Sequence, residues 1–66
     1  MVEYIAIDLV KKAKSAGFRE DRVRGDHHIF VNPSNGKSVS IPFSNRKDAI
    51  AIGTARNIIQ VINNKN

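Results

Sequence analysis

The two histidines of this chain are adjacent, and they stand where a turn leads into a strand-like segment. His27 and His28 follow Gly25-Asp26, a pair typical of a turn, because Gly tolerates positive φ and Asp hydrogen-bonds its own backbone. Successive strand residues point to opposite faces, so the two imidazoles are expected to have different roles. Histidine can take or give a proton near neutral pH, which makes an outward-facing imidazole here a candidate for acid–base chemistry.

The residues around these histidines belong to a strongly basic chain. Eleven Lys and Arg stand against six Asp and Glu among 66 residues, giving a net charge of +5 and a pI near 10.1. A domain pI above about 9 is typical of nucleic-acid binders. A basic surface for an acidic protein partner is the alternative interpretation.

Composition excludes several kinds of protein. The chain has no Cys, which excludes disulfides and thiol chemistry. It has no secretory signal pattern and no apolar run near the roughly 18 residues of a membrane span. We therefore expect one cytoplasmic domain over residues 1–66, without membrane contact. No metal site is expected, because adjacent histidines on opposite strand faces cannot easily bind one ion and no third His is present.

Hydrophobic periodicity predicts a helix near each end of the chain. Val2 to Ala16 has apolar residues at three- and four-residue steps, and Gly17 is expected to end this helix. Thr54 is predicted to be the N-cap of a second helix, before a polar end at residues 63–66. The buried stripe expected in that helix consists of Ala55, Ile58, Ile59 and Ile62, with Val61 at its border.

Three strands are predicted between the helices. Phe18 to Arg24 is expected to be an exposed edge strand, whose charges guard against aggregation. Residues 27–32 and 37–42 form a predicted hairpin around a Pro-Ser-Asn-Gly turn. Residues 43–53 are predicted to be a connection, with an apolar part that packs on the core. The predicted fold class is α+β: a two-layer α-β-β-β-α domain with both helices on one face of a three-stranded antiparallel sheet.

Alternation within the hairpin predicts which side chains face the helices. In the third strand, Val39 and Ile41 are expected on one face and the serines between them on the other. In the second strand we expect Ile29 and Val31 beneath the helices, because two aliphatic residues pack there better than a His–Phe pair. This register places His28 and Phe30 on the open face of the sheet.

Five short motifs stand out along the chain: Lys-Ser-Ala-Gly-Phe (14–18), Gly-Asp-His-His-Ile-Phe (25–30), Asn-Pro (32–33), Ser-Ile-Pro (40–42) and Gly-Thr-Ala-Arg (53–56). In this order and spacing they resemble the HicA toxin family. The resemblance covers residues 5–62. It implies a fold like the double-stranded RNA-binding domain. It also implies the toxin of a type II toxin–antitoxin system, which cleaves mRNA as a metal-independent endoribonuclease without a cofactor and inhibits translation. A HicB-like antitoxin that covers the active site is the implied protein partner.

By position, the resemblance implies that His28 is the catalytic residue. The family usually has Ser where this chain has Asp26, whose carboxylate is expected either to hold the imidazole or to repel a phosphate. Many members also have a His shortly after the proline of the third strand, and Phe43-Ser44 takes that place here. The alternative role for His28 is that of a partly buried structural histidine.

Cleavage of RNA requires proton transfers and fixed positive charge near the phosphate, with aromatic rings available for stacking. The residues expected to contact RNA are Arg24, His27, Phe30, Lys37, Arg46 and Arg56. Two alternatives to the ribonuclease remain open. One is a non-catalytic double-stranded RNA-binding module of the same fold, and the other is a protein-interaction domain for an acidic partner.

Overall fold

The structure, a computed structural model, describes residues 4–63. It confirms the predicted α+β class, with the order helix, three strands and helix, and adds two short strands. The elements in chain order are β1 (Tyr4–Ile5), α1 (Ala6–Ser15), β2 (Arg19–Arg24), β3 (His27–Val31), β4 (Ser38–Pro42), β5 (Ala49–Ile50) and α2 (Ile52–Asn63).

Strands β2, β3 and β4 form an antiparallel sheet in chain order. The β2–β3 turn is Gly25-Asp26, and Gly25 has a φ of +63°, as the first central residue of a II′ hairpin turn requires. The β3–β4 turn closes through hydrogen bonds from the Asn32 amide to the Lys37 carbonyl and from the Gly36 amide to the Asn32 carbonyl, both 2.8 Å. These tight turns fix the pairing of the three strands.

One face of this sheet carries both helices, and the core lies between the two layers. Val39 and Ile41 are buried there, while Ser38 and Ser40 are exposed on the other face, as the alternation predicts. The buried residues form one cluster: Ala6, Leu9, Val10, Ala13, Phe18, Phe30, Val39, Ile41, Phe43, Ile50, Ala55, Ile58 and Ile62.

The predicted register of β3 is wrong. Phe30 pairs with Val39, and His28 pairs with Ile41, so both side chains lie on the face that the helices cover. Phe30 is 1% exposed, whereas Ile29, expected in the core, is half-buried on the opposite face. The aromatic ring removes more apolar surface from water than an aliphatic side chain does, which favours the observed register.

Helix α1 begins at Ala6, four residues later than predicted, because Tyr4–Ile5 is extended and pairs with Ala49–Ile50. Val2, the predicted start, lies outside the described residues. Gly17 ends the helix as predicted, with a φ of +98°. The Gly17 amide donates to the Lys14 carbonyl at 3.1 Å, and the Phe18 amide donates to the Ala13 carbonyl at 3.0 Å. This is the Schellman pattern of helix ends.

The second helix also differs from its prediction at its start. Helix α2 begins at Ile52, so Thr54 lies within its first turn. The prediction that Thr54 is the N-cap is therefore wrong. Strand β5 was missed, since a two-residue strand is too short to show periodicity. Asn63 belongs to α2, and the rest of the predicted polar end lies outside the described residues. Within residues 4–63, neither helix has the length and hydropathy to cross a bilayer.

Candidate functional site

His28 opens into a cavity between α1 and one end of the sheet. The cavity has a volume of about 270 Å³, and the His28 side chain keeps 20% of its surface exposed. The imidazole therefore lies at the border of the core, within reach of a ligand that enters the cavity. The lining residues are Ile7, Val10, Lys11, Lys14, Glu20, His28, Phe30, Phe43 and Arg46.

The imidazole of His28 is held on three sides. Its Nδ1 lies 2.8 Å from Oε2 of Glu20, and its Nε2 lies 3.1 Å from the carbonyl oxygen of Phe43. The Phe43 ring stacks on the imidazole, with centroids 3.7 Å apart and planes inclined by 7°. The Phe43 amide in turn donates to the Asp26 carbonyl at 2.8 Å. Backbone and side-chain contacts thus fix both the position and the plane of the ring.

Asp26 does not hold His28. Its Oδ1 lies 3.6 Å from Nε2 of His27, and His27 Nδ1 lies 3.2 Å from the Ser40 hydroxyl. His27 and Ser40 belong to the sheet face opposite His28. The carboxylate at His28 is therefore Glu20, which no pattern in the sequence indicated.

A bulge in β2 explains why Glu20 was missed. A regular hairpin that pairs Arg24 with His27 would place Asp21 opposite Phe30. The strand register shifts between Glu20 and Arg22, so Glu20 stands opposite Phe30 instead. Residues paired across strands share a face, which brings the Glu20 carboxylate to His28. A one-residue bulge leaves no signal in the periodicity of such a charged strand.

Three cationic side chains line the cavity with His28. Lys11 and Lys14 lie one helical turn apart on the same side of α1, and Arg46 comes from the loop between β4 and β5. From the sequence, a solvated helix end is the favoured interpretation of these lysines, with phosphate contact as a secondary role. One signal in the sequence could have placed the lysines at the cavity. The spacing of Ile7, Lys11 and Lys14 puts them in one stripe along α1, next to its buried stripe.

The loop that carries Arg46 is joined to the start of α1. The Ile7 amide donates to the Arg46 carbonyl at 2.8 Å, and the Ala6 amide donates to the Asp48 carbonyl at 2.9 Å. Backbone carbonyls thus satisfy amides that would otherwise lack partners at a helix start. The Asp48 carboxylate also accepts from the Ser44 and Asn45 amides, at 3.1 and 2.9 Å. Arg46 therefore projects from a structured loop.

The other residues predicted to contact RNA are dispersed. Arg24 lies opposite His27, on the sheet face away from the cavity. Lys37 follows the β3–β4 turn, and Arg56 is exposed on α2. Phe30 lines the cavity, but at 1% exposure it has no ring face free to stack on a base. Residues 4–63 contain no group of three or more His, Cys, Asp or Glu side chains that could hold a metal ion.

The fold and the cavity define a class: a small α+β domain with a histidine–carboxylate pair in a basic cavity. A family model described as the HicA toxin of bacterial toxin–antitoxin matches residues 7–63. The chain belongs to the HicA toxin family, so it is a toxin of a bacterial toxin–antitoxin system, for which a cognate antitoxin is implied. The family is generally associated with ribonuclease activity. No curated protein and no solved structure matches the chain.

Proposed function

We propose that this toxin is an endoribonuclease that cleaves mRNA without a metal ion, with His28 as its catalytic residue. The observation that supports the proposal is the placement of a partly exposed histidine among Lys11, Lys14 and Arg46 in one cavity. A histidine with only a structural role would not require three cationic side chains in the same cavity, because these charges repel one another.

The charge of the cavity suits a phosphodiester. The described residues that line the cavity include three cationic side chains and one carboxylate, that of Glu20, which leaves an excess of two positive charges (3 − 1). Positive charge fixed before the substrate arrives can stabilise the additional negative charge of a phosphorane. The ammonium groups of Lys11 and Lys14 and the guanidinium of Arg46 would serve this role.

RNA supplies its own nucleophile for this reaction. The 2′-oxygen attacks the adjacent phosphorus, the bond from phosphorus to the 5′-oxygen breaks, and the products are a 2′,3′-cyclic phosphate and a 5′-hydroxyl. The 2′-hydroxyl loses a proton and the leaving 5′-oxygen gains one. A positioned histidine that performs one of these transfers contributes roughly 10²–10⁴-fold to the rate.

The biological partners follow from this activity. The substrate is mRNA, so the toxin acts in the cytoplasm and inhibits translation. We further propose that a HicB-like antitoxin neutralises the toxin by covering the cavity around His28. An acidic segment of that partner would meet the lysines of α1 and Arg46.

Cleavage of RNA by the purified chain in EDTA tests the proposal. His28→Ala should reduce the rate at least about 100-fold, and it should relieve the growth arrest caused by expression. His27→Ala is the matched control, because His27 is a neighbouring histidine with its own carboxylate on the other sheet face. Equal losses in the two variants would refute the role of His28. Salt-sensitive binding of intact RNA would instead support a non-catalytic double-stranded RNA-binding module.

A further inference from the structure

We propose that His28 is the proton donor to the leaving 5′-oxygen, and that Glu20 is the positioning residue that accepts the hydrogen bond from Nδ1–H and so fixes the ring for this role. This inference rests on the proposed ribonuclease function and deepens it. Histidine could in principle take the proton of the 2′-hydroxyl or give one to the 5′-oxygen. The hydrogen-bond partners of His28 distinguish the two roles.

Both ring nitrogens of His28 face hydrogen-bond acceptors. The Glu20 carboxylate lies 2.8 Å from Nδ1, and the Phe43 carbonyl lies 3.1 Å from Nε2. A neutral imidazole has one N–H and one lone pair, so it would set a lone pair against one of these oxygens. The imidazolium has two N–H groups and donates to both. The arrangement is therefore complementary to the protonated ring.

The other groups that face the imidazole come from α1, the β4–β5 loop and Phe43. The Phe43 ring lies parallel to it, with centroids 3.7 Å apart, and an aromatic face attracts a cation. Lys11, Lys14 and Arg46 line the same cavity and oppose a further positive charge. Among the described residues that line the cavity, Glu20 is the single acidic one. Its carboxylate is thus the one negative charge in this lining that attracts the N–H groups of His28.

The reaction then uses the Nε2 proton. The 2′-oxygen bonds to phosphorus while its own proton passes to solvent water. As the bond between phosphorus and the 5′-oxygen breaks, negative charge grows on that oxygen, which becomes a stronger acceptor than the uncharged carbonyl of Phe43. The Nε2 proton of His28 transfers to it. The other proton stays on Nδ1 and keeps its hydrogen bond to Glu20, and Nε2 regains a proton from water.

A substrate with sulfur in place of the bridging 5′-oxygen tests this assignment. Sulfur leaves as a thiolate, so its departure does not depend on a proton donor. Glu20→Gln keeps the shape of the side chain and removes its charge. It should slow cleavage of normal RNA by roughly five- to tenfold, the difference between a hydrogen bond to a charged group and one to a neutral group. With the sulfur-bridged substrate, both Glu20→Gln and His28→Ala should come within a few-fold of the unmodified protein.

Asp26→Asn is the matched control. It removes a carboxylate from His27, where the contact is 3.6 Å and both side chains are more than half exposed. This variant should cleave both substrates at the normal rate. If the rate deficits of Glu20→Gln and His28→Ala persist on the sulfur-bridged substrate, His28 is not the proton donor and the inference is overturned.

A second measurement separates this inference from the ribonuclease proposal. Nitrogen-15 NMR of the His28 ring should show a hydrogen bond from Nδ1–H to the Glu20 carboxylate, with an Nδ1 signal that changes in Glu20→Gln but not in Asp26→Asn. If the unmodified chain cleaves neither substrate, the ribonuclease proposal fails. A His28 ring without a proton on Nδ1, or with an Nδ1 signal unaffected by Glu20→Gln, overturns the role assigned to Glu20.

Discussion

The ring of Phe43 lies parallel to the imidazole of His28, with centroids 3.7 Å apart and 7° between the planes. The Phe43 backbone also accepts a hydrogen bond from the same imidazole, at 3.1 Å. The resemblance to the HicA family implies a second histidine at the place where this chain has Phe43-Ser44. In this chain, Phe43 instead supports the one histidine that opens into the cavity.

Replacement of Phe43 tests how much its stacking on His28 contributes to cleavage. Phe43→Leu keeps an apolar side chain but removes the flat aromatic ring, so we expect slower cleavage and a stability loss below about 1.5 kcal/mol. Phe18→Leu is the matched control, because Phe18 is also buried and does not line the cavity. Urea unfolding should give similar losses for both variants, while cleavage should fall in Phe43→Leu alone. A similar fall in Phe18→Leu would show that stacking on His28 has no special effect.

Neutralising the cavity cations should weaken RNA binding. We expect Lys11→Gln, Lys14→Gln and Arg46→Gln each to lower affinity. Each should also reduce the salt slope of single-stranded RNA binding by about 0.7, the value for one phosphate neutralised by the protein. The measurement is affinity for a short single-stranded RNA across a salt series, in the His28→Ala background.

Lys12→Gln and Arg56→Gln are the controls for charge alone. Lys12 belongs to α1 but does not line the His28 cavity, and Arg56 lies on α2. Each of the two substitutions removes one positive charge from the chain. A salt slope that changes equally in all five variants would indicate binding to the overall charge of +5 rather than to the cavity.

Gly17 should be sensitive to substitution and Gly53 should not. Gly17 has a φ of +98° at the end of α1, and an L-residue is strained there, so Gly17→Ala should cost about 1 kcal/mol or more. Gly53 lies in α2 without positive φ, and an added Cβ meets no atom within 4 Å. Gly53→Ala should stabilise the protein by about 0.4–1 kcal/mol. Urea unfolding that ranks the two variants in the opposite order would contradict the Schellman end of α1.

Asn32 is the polar residue buried in the described structure, at 6% exposure. Its Nδ2 donates to the Ala16 carbonyl at 3.3 Å, and its Oδ1 accepts from the Ser34 amide at 2.9 Å. Asn32→Asp would place a carboxylate against the Ala16 oxygen, so we expect a loss of about 1–3 kcal/mol by urea unfolding.

Asn35→Asp is the same chemical change in an exposed turn. The Asn35 Oδ1 accepts from the Lys37 amide at 2.9 Å, and a carboxylate preserves that bond. The free energy of unfolding of the Asn35→Asp variant should therefore change by less than about 0.5 kcal/mol. Equal losses in the two variants would mean that the link from Asn32 to the end of α1 contributes little.

Local patterns in the sequence were sufficient for the architecture. Gly17, the Gly25-Asp26 turn and the alternation of Val39 and Ile41 each act over a few residues, so the helix end, the hairpins and the buried face of β4 could be predicted. The short pairing between Tyr4–Ile5 and Ala49–Ile50 could not, because it joins distant segments with too few residues for a periodic signal.

The sequence by itself determined the α+β order, the basic charge and His28 as the candidate for proton transfer. Only the tertiary structure decided what surrounds that histidine. A bulge in β2 brings Glu20 rather than Asp26 to the imidazole, and the packing of α1 brings Lys11 and Lys14 to the same cavity. The physical reason is that the pattern within a charged strand or helix end does not indicate which residues of other elements it meets, so those partners depend on register and packing across elements.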